Sequence, residues 1–297
     1  MSPRTGKRRS PKRTAPAAEW QPYDAGDPAF AAALLAPRWE VVRLLGRGAL
    51  ACTHLVTDRE SGARAVARVV HSAIAEDDSA RAHIHRLSRA ALALEHPNLV
   101  RMIAVSPESA HTPYAVCEYV EGTDLASLLR AEGRLPLARA LAVARDIAAA
   151  LAAVHARGLT HGNLRPADIL VETASGRAKL YELDSPLFGG SGVLGNPSHA
   201  APEQLEDPGS GPRPPADLFA LGTILYEMLT GAEPFPADSP FQKMAKKMKG
   251  SWTPLHEHAA EIPKAVANLL DYLLSPDPSK RGTAAQSHAE LELLAGA

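Results

Sequence analysis

Up to about Gly122 the apolar residues of this chain recur mostly at every second position, and beyond it mostly at every third or fourth. A strand turns successive side chains to opposite faces and a helix gathers i, i+3 and i+4, so the change of period predicts a β-rich part followed by a helical one. In WEVVRLLGRGALACTHLVTDRESGARAVARVV the alternation predicts strands at Val41–Leu45, Thr53–Val56 and Ala65–Val70, joined as an antiparallel meander. SARAHIHRLSRAALALEHPN has helical spacing and stops at Pro97-Asn98, and PYAVCEYVEG returns to strand character and ends at Gly122. LARALAVARDIAAALAAVHARG then places Leu137, Leu141, Ala144, Ile147, Leu151 and Val154 on one helical face, with Gly158 as a stop. The expected fold class is α+β, with a small β-rich lobe ahead of a larger, mainly helical one.

A hydrophobic content of 45% over 297 residues is enough to bury a full core, in one large two-lobed domain or two small ones. Cys52 and Cys117 are the only cysteines, too few for a disulfide framework or a paired-cysteine metal site. His83 with His85, and His256 with His258, lack a helical zinc-ligand spacing. No apolar run is long enough to span a bilayer or to act as a secretory signal, and the expectation is a cytoplasmic protein. The net charge of −1 hides an asymmetry: Arg4, Lys7, Arg8, Arg9, Lys12 and Arg13 give residues 1–16 a charge of +6, leaving −7 for the rest. Proline, serine and charge in this leader predict a basic, disordered tail over residues 1–36, before the lobes at 37–120 and 121–297. Sharper alternatives are contact of residues 1–16 with nucleic acid or an anionic membrane, or docking of the tail on the acidic body. No aromatic residue is interleaved with the basic run to stack on bases.

A series of short motifs carries the chemistry. In chain order they are GRGALA (Gly46–Ala51), AVAR (Ala65–Arg68), EHPNLV, CEYVEG, HGNLRPADIL, ELD and APEQ, followed by ADLFALGTILYEMLTGAEPF and PDPSKRGTA. Their order and spacing resemble the protein kinase family, most like bacterial serine/threonine kinases, over roughly residues 38–295. The resemblance implies a bilobal protein-kinase-like fold. A dinucleotide fingerprint would need a helix after the glycines, where CTHLVTD continues as a strand, and no GxxxxGK[ST] occurs.

Kinase catalysis is positioning plus charge stabilisation: a lysine on the phosphates held by a helix glutamate, a base near the substrate hydroxyl, and two metal ligands. The resemblance implies ATP with Mg²⁺ or Mn²⁺ as cofactor and nucleotide contacts at Gly46, Gly48, Thr53, Val66, Arg68, Glu118, Val120 and Leu170. Several of these depart from the family pattern. Arg68 replaces the strand lysine, keeping the charge in a bulkier, planar form; its bland alternative is a strand residue snorkelling to solvent. The helix glutamate falls on Leu87, and the neighbouring Arg86 and Arg89 would repel Arg68. Val66 stands where alanine packs on adenine, an overfilling that typically costs about 1–3 kcal/mol, and Thr53 replaces a valine on the other face of the base. Glu118 and Val120 would present backbone groups to adenine, and Cys117 takes the gatekeeper position, where it would be a small buried hydrophobe.

In HGNLRPADIL the catalytic aspartate is replaced by Asn163, an amide that cannot take a proton at neutral pH. Arg165 replaces a phosphate-contacting lysine, and Gly162 the arginine that would receive an activation-loop phosphate. Asp168 replaces the asparagine and Glu182 the aspartate that hold metal; both remain oxygen ligands for a hard cation. Asp184 removes the glycine of the triplet, and Asn196 the substrate-facing threonine. Ser185, Ser191 and Ser198 are phosphorylation candidates or plain loop serines. Other positions match the family. His161 and Leu183 would fill an apolar stack joining the lobes, Asp217 would brace the catalytic loop or cap its helix, and Glu203 with Arg281 would form a buried ion pair.

Three readings follow. The first is a pseudokinase, a regulatory or scaffolding module with weak or no ATP binding, acting on a protein partner such as an active kinase or its substrate. The second is a serine/threonine kinase of reduced or atypical activity using Arg68, Asp168 and Glu182. The third is a recruitment module binding nucleic acid or anionic membrane through the basic tail.

Overall fold

The structure is a computed structural model that describes residues 22–181, 198–207, 213–258 and 261–296. The small lobe is an antiparallel sheet of β1 (Trp39–Arg47), β2 (Ala51–Asp58), β3 (Arg64–Val70), β4 (Met102–Val105) and β5 (Tyr114–Glu118), in the order β1-β2-β3-β5-β4. The three predicted strands are present and longer than expected, because register shifts between Val41 and Arg43 and between Leu44 and Gly46 break the alternation of β1. β4 was not foreseen: MIAV is four residues long and half-buried throughout, with no alternation to read. A short α2 (Ser72–Ala75) leads into α3 (Asp78–Leu92), the predicted helix, which ends ahead of its expected stop at Pro97-Asn98 and is capped by Asp77, whose carboxylate accepts from the N–H groups of Ser79 and Ala80.

The expectation of a disordered leader through residue 36 is corrected for residues 22–36. Asp27 caps α1 (Pro28–Leu35) with Pro28 at its first position, a start signal present in the sequence. Ala31 and Leu35 pack with Trp39, Val56, Ala65, Ala67 and Val116. Tyr23 stacks on Phe30 with ring centroids 4.4 Å apart, and its hydroxyl donates to Val70 O at 2.8 Å. His54, wholly buried in β2, pairs through Nε2 with Ala25 O at 2.8 Å. The apolar surface of α1 is what offsets the entropy of ordering this stretch. Residues 1–21, with the basic run and Trp20, lie outside the described residues.

The large lobe opens with β6 (Gly122–Asp124), α4 (Leu125–Glu132) and α5 (Leu137–His155). β6 joins β7 (Ile169–Glu172) and β8 (Ala178–Leu180) in a three-stranded sheet. Then come α6 (Pro202–Glu206), α7 (Pro214–Thr230), α8 (Pro240–Lys249), α9 (Lys264–Leu273) and α10 (Ala284–Ala295). The predicted face of α5 is packed inward, and Val143, Ala140, Ala148 and Ala150 are buried as well, since α5 lies between α7, α10 and β8. α7 is buried on nearly every side and forms the lobe's axis. At Gly222 a Cβ would stand 2.7 Å from that of Leu273, so α9 crosses closely only over a glycine. No described helix is long and apolar enough to cross a membrane.

Candidate active site

The site lies between the lobes and is built on the segment His161–Asp168. Asp217, wholly buried in the first turn of α7, receives the backbone N–H of His161 at 2.9 Å and of Gly162 at 2.7 Å, and its Oδ2 lies 2.8 Å from His155 Nε2. Of its two expected roles, bracing the loop holds and capping the helix does not: the cap position is Arg213. Gln204 reaches the loop from the other side, donating to Gly162 O at 2.8 Å. Gly162 has φ of +79°, a left-handed conformation that favours glycine. The loop is thus fixed at both polar edges by side chains from α6 and α7, while Asn163 stays exposed at its tip. The backbone N–H of Asn163 points to His161 Nδ1 at 3.4 Å, and His161 Nε2 faces Tyr181 O at 3.3 Å.

Asp168 is 2% exposed and accepts from Arg165 Nε at 3.1 Å, with His161 Nε2 4.0 Å away. The expected phosphate-contacting residue and the expected metal ligand therefore bind one another. Glu182, the other expected ligand, lies outside the described residues, as do Leu183, Asp184, Ser185, Ser191 and Asn196. Among the described residues, no group of three or more His, Cys, Asp or Glu side chains could hold a metal ion.

The nucleotide-contact candidates of the small lobe fall on one surface. Thr53 stands opposite Arg68 and Leu55 opposite Val66 in the β2–β3 ladder, and Val66 stands opposite Cys117 in β3–β5. Paired residues of an antiparallel ladder share a face, so Thr53, Val66, Arg68 and Cys117 form a patch, with Gly46 opposite Thr53 at its rim. Gly48 closes the β1–β2 turn by donating to Ala51 O at 2.9 Å, and its own carbonyl lies 2.8 Å from His71 Nε2. Glu118 uses its N–H on Arg101 O at 2.9 Å, and its carboxylate accepts from Lys179 Nζ at 2.5 Å, tying the inter-lobe connection to β8. Val120 is half-buried in that connection, and Leu170 is half-buried in β7 opposite Asp124 and Lys179.

Behind this patch is a cavity of about 90 Å³, lined by Arg68, Cys117 and Met102 from the sheet, by Ile84, Leu87, Ser88 and Ala91 from α3, and by Leu180 and Tyr181. Two expectations are corrected here. Arg68 is not a solvent-facing strand residue: it is half-buried, with Nε fully covered, and it lines the cavity. Nor do Arg86 and Arg89 crowd it. They lie on another face of α3, where Arg86 meets His83 Nδ1 at 2.6 Å and Arg89 pairs with Glu108 at 3.1 Å. Leu87 does face the cavity, so the α3 position on which a carboxylate was expected presents an aliphatic side chain. Cys117 is half-buried, its thiol 3.6 Å from Val66 O.

Two polar networks support the site from below. Arg281, 3% exposed, donates to both carboxylate oxygens of Glu203 at 2.6 and 2.9 Å and to Pro215 O and Ser275 O, as the sequence predicted for the pair. The second network was missed. Lys247 of α8 is fully buried and donates to Ser198 O at 2.8 Å and Ala200 O at 2.6 Å, beside the stacked rings of Phe219 and Phe235. Burial, and then the nearby Lys243 ammonium, pull its pKa down to about 7 against the carboxylates of Glu233 and Glu227. Ser198 Oγ donates to Glu233 at 2.7 Å and accepts from Lys243 at 3.1 Å, so it is a fixed member of this network and not a plain loop serine. His199 pairs with Glu227 at 3.1 Å.

Against known proteins, the profile described as "Protein kinase domain" matches residues 39–290, which leaves α1 outside it. The chain is 30% identical over 272 residues to the serine/threonine-protein kinase PksC of Streptomyces coelicolor, covering 86% of this chain and 48% of that protein. It is 27% identical over 268 residues to the serine/threonine-protein kinase PknB of Mycobacterium leprae, covering 86% of this chain and 43% of that protein. The chain therefore spans about half the length of the curated relatives it matches. Among solved structures, that of Rad53 residues 1–466 in complex with AMP-PNP superposes with a TM-score of 0.72 at 25% identity, over 84% of this chain and 64% of that one.

Proposed function

Because the chain belongs to the protein kinase family, alongside bacterial serine/threonine kinases, we propose that it is a pseudokinase, a kinase-shaped regulatory or scaffolding module with weak or no ATP binding. One observation carries this reading: the catalytic loop is held in place by Asp217 and Gln204, yet its tip offers the Asn163 amide where a carboxylate base would stand. General-base help is worth roughly 10²- to 10⁴-fold, and an amide supplies none of it. Two further features support the reading. Leu87 puts an aliphatic side chain at the α3 position on which a carboxylate was expected, and Asp168 is engaged by Arg165.

The residues fit a nucleotide in part. Arg68 could meet phosphates, and Thr53, Val66 and Cys117 share the face on which a base would lie. On the metal side the fit is poor, because a cation at Asp168 would have to displace the Arg165 guanidinium. Titration of ATP into the full chain with Mg²⁺, with Mn²⁺ and with chelator, followed by a radiolabelled phosphate-transfer assay, tests the proposal. The expected result is weak binding or none, and no transfer. Transfer that is lost on Glu182→Ala would refute it. Retention of Arg68 in the cleft favours a second reading, an enzyme of reduced activity; Asn163→Asp would then raise transfer, and no gain across a range of metals would count against it.

A further inference from the structure

The turn between β1 and β2 reads Gly46-Arg47-Gly48, and two glycines around one arginine give the backbone few restraints of its own. That arginine is nevertheless tied down, by chain that precedes the small lobe. Arg47 stands opposite Cys52 in the ladder, on the sheet face where Ala25, Cys52 and Val69 pack together, and not on the face of Gly46 and Thr53. Its guanidinium forks onto Asp24, Nη1 donating to Oδ1 at 2.8 Å and Nη2 to Oδ2 at 3.1 Å. Gly26 donates its N–H to the same Oδ1 at 2.8 Å, and a Cβ at Gly26 would fall on the Arg47 guanidinium. The segment that carries Asp24 is anchored on both sides, Tyr23 by its hydroxyl to Val70 O and Ala25 by its carbonyl to the buried His54. Asp24 is therefore presented to Arg47 at little cost in chain entropy, and the fork, then the Gly26 N–H, hold its carboxyl down at about 2.

Both side chains of the pair are about half exposed, 53% for Arg47 and 56% for Asp24, so the pair adds little to the stability of the fold. What it fixes is the turn. From the end of β3, His71 holds the same turn at Gly48 O through Nε2 and at Leu50 O through its N–H. Leu50 and Ala51 in turn line a cavity of about 50 Å³ with Arg68, Ile84 and Ser88. We propose that Tyr23–Gly26 is a releasable clamp on the glycine-rich turn, through which chain outside the kinase-domain match of residues 39–290 controls the roof of the cleft beside Arg68. An anchored strap that ends in an exposed, fully formed fork is a two-state contact: it opens without unfolding anything behind it. The bearing of the clamp on ATP rests on the reading of the cleft given above, whereas the clamp itself is read on the turn.

Amide hydrogen exchange of the full chain tests this, at Gly48, whose N–H closes the turn on Ala51 O, and at His71, whose N–H holds Leu50 O. Asp24→Asn and Arg47→Gln each remove one charge. Gly26→Ala removes none, and its methyl displaces the guanidinium, the far end of a flexible side chain. Each should speed exchange at Gly48 and His71 by about two- to fivefold, the span an exposed pair supplies, with β5 amides unchanged and melting as for the wild type. Asp24→Asn/Arg47→Gln should exchange no faster than either single variant, because one interaction is lost only once. Unchanged exchange in all three, additive effects in the double variant, or equal acceleration in β5 would overturn the clamp. ATP titrated into the same variants should show affinity moving with the exchange; faster exchange at constant affinity would overturn control of the cleft. A wild type that takes no ATP would count against a nucleotide in the cleft, and the exchange would still decide the clamp.

Discussion

Replacing Lys247 by methionine should abolish a large part of the alkaline stabilisation of this protein. Lys247 is fully buried, and its pKa falls from an ordinary 10.5 to about 7 in the folded state, chiefly through burial. Between those values the unfolded chain holds a proton that the folded chain has released, so the stability must rise with pH. Below pH 7 both states are protonated, and the fold carries the full burden of a buried ammonium. Each pKa unit is worth about 1.36 kcal/mol, which puts the gain on going from pH 7 to 10.5 at about 5 kcal/mol. Methionine is of similar length and cannot titrate. It leaves Ser198 O and Ala200 O without this donor, at about 1–3 kcal/mol for each unsatisfied group. The substitution should therefore be strongly destabilising at pH 9 and much less so at pH 6, where loss of the donor is offset by removal of the charge.

Urea unfolding at pH 6, 7, 8 and 9 measures this, provided that the quantity followed is the difference between the two proteins, from which the other titrating groups largely cancel. The difference should grow by about 1.4 kcal/mol per pH unit above pH 7, with unchanged m-values. Groups packed around the ammonium set the sign. Lys243 lowers the pKa further, while Glu233 and Glu227 raise it, so Glu233→Gln should move the onset of the slope to lower pH. Curves for wild type and Lys247→Met that run parallel from pH 6 to 9 would refute the reasoning: the lysine would then be charged throughout, with water or a carboxylate compensating it.

The other supports give simpler expectations. Arg281→Met should lower stability by about 3–5 kcal/mol in chemical denaturation, since it leaves Glu203 without its fork of donors. Asp217→Asn should cost about 1–3 kcal/mol, because His161 and Gly162 donate to different carboxylate oxygens and asparagine sets an NH2 donor in place of one of them, and amide exchange at those two residues should speed up with it. Leu35→Ala should cost about 2–5 kcal/mol, with the loss read from the same unfolding transition as the kinase-like domain; a separate early transition would mean that α1 is only an appendage.

The lobes, their order and the architectural pairs were legible because they rest on period, spacing and motif order, which are local or one-dimensional. Where sequence reasoning stopped short, the deciding contact was distant in the chain. Ala25 satisfies His54 across 29 residues, Gln204 pins Gly162 across 42, and Glu118 reaches Lys179 across 61. Composition misled at the leader: the basic run of residues 1–16 coloured the reading of the following stretch, although Asp27-Pro28 ahead of AFAAALL is a helix start. A buried lysine is the least readable of these features, since residue type predicts exposure, and only the two carbonyls ahead of α6 explain why Lys247 points inward.

Those carbonyls also belong to the chain of supports that gives the site its shape. The catalytic loop is held by Asp217 and Gln204, Gln204 lies on α6, α6 is tied through Glu203 to Arg281, and the segment leading into α6 is tied through Ser198 and Ala200 to Lys247. Each link is a hydrogen bond or ion pair whose loss would uncover a buried polar group, so each is maintained by stability alone. None passes through Asn163, Arg68 or Leu87. A substitution at those three positions leaves this chain of supports intact. That separation is why Asn163→Asp is an informative experiment: it should test chemistry at the loop tip without moving the loop, and a melting temperature equal to that of the wild type would confirm that only the chemistry was changed.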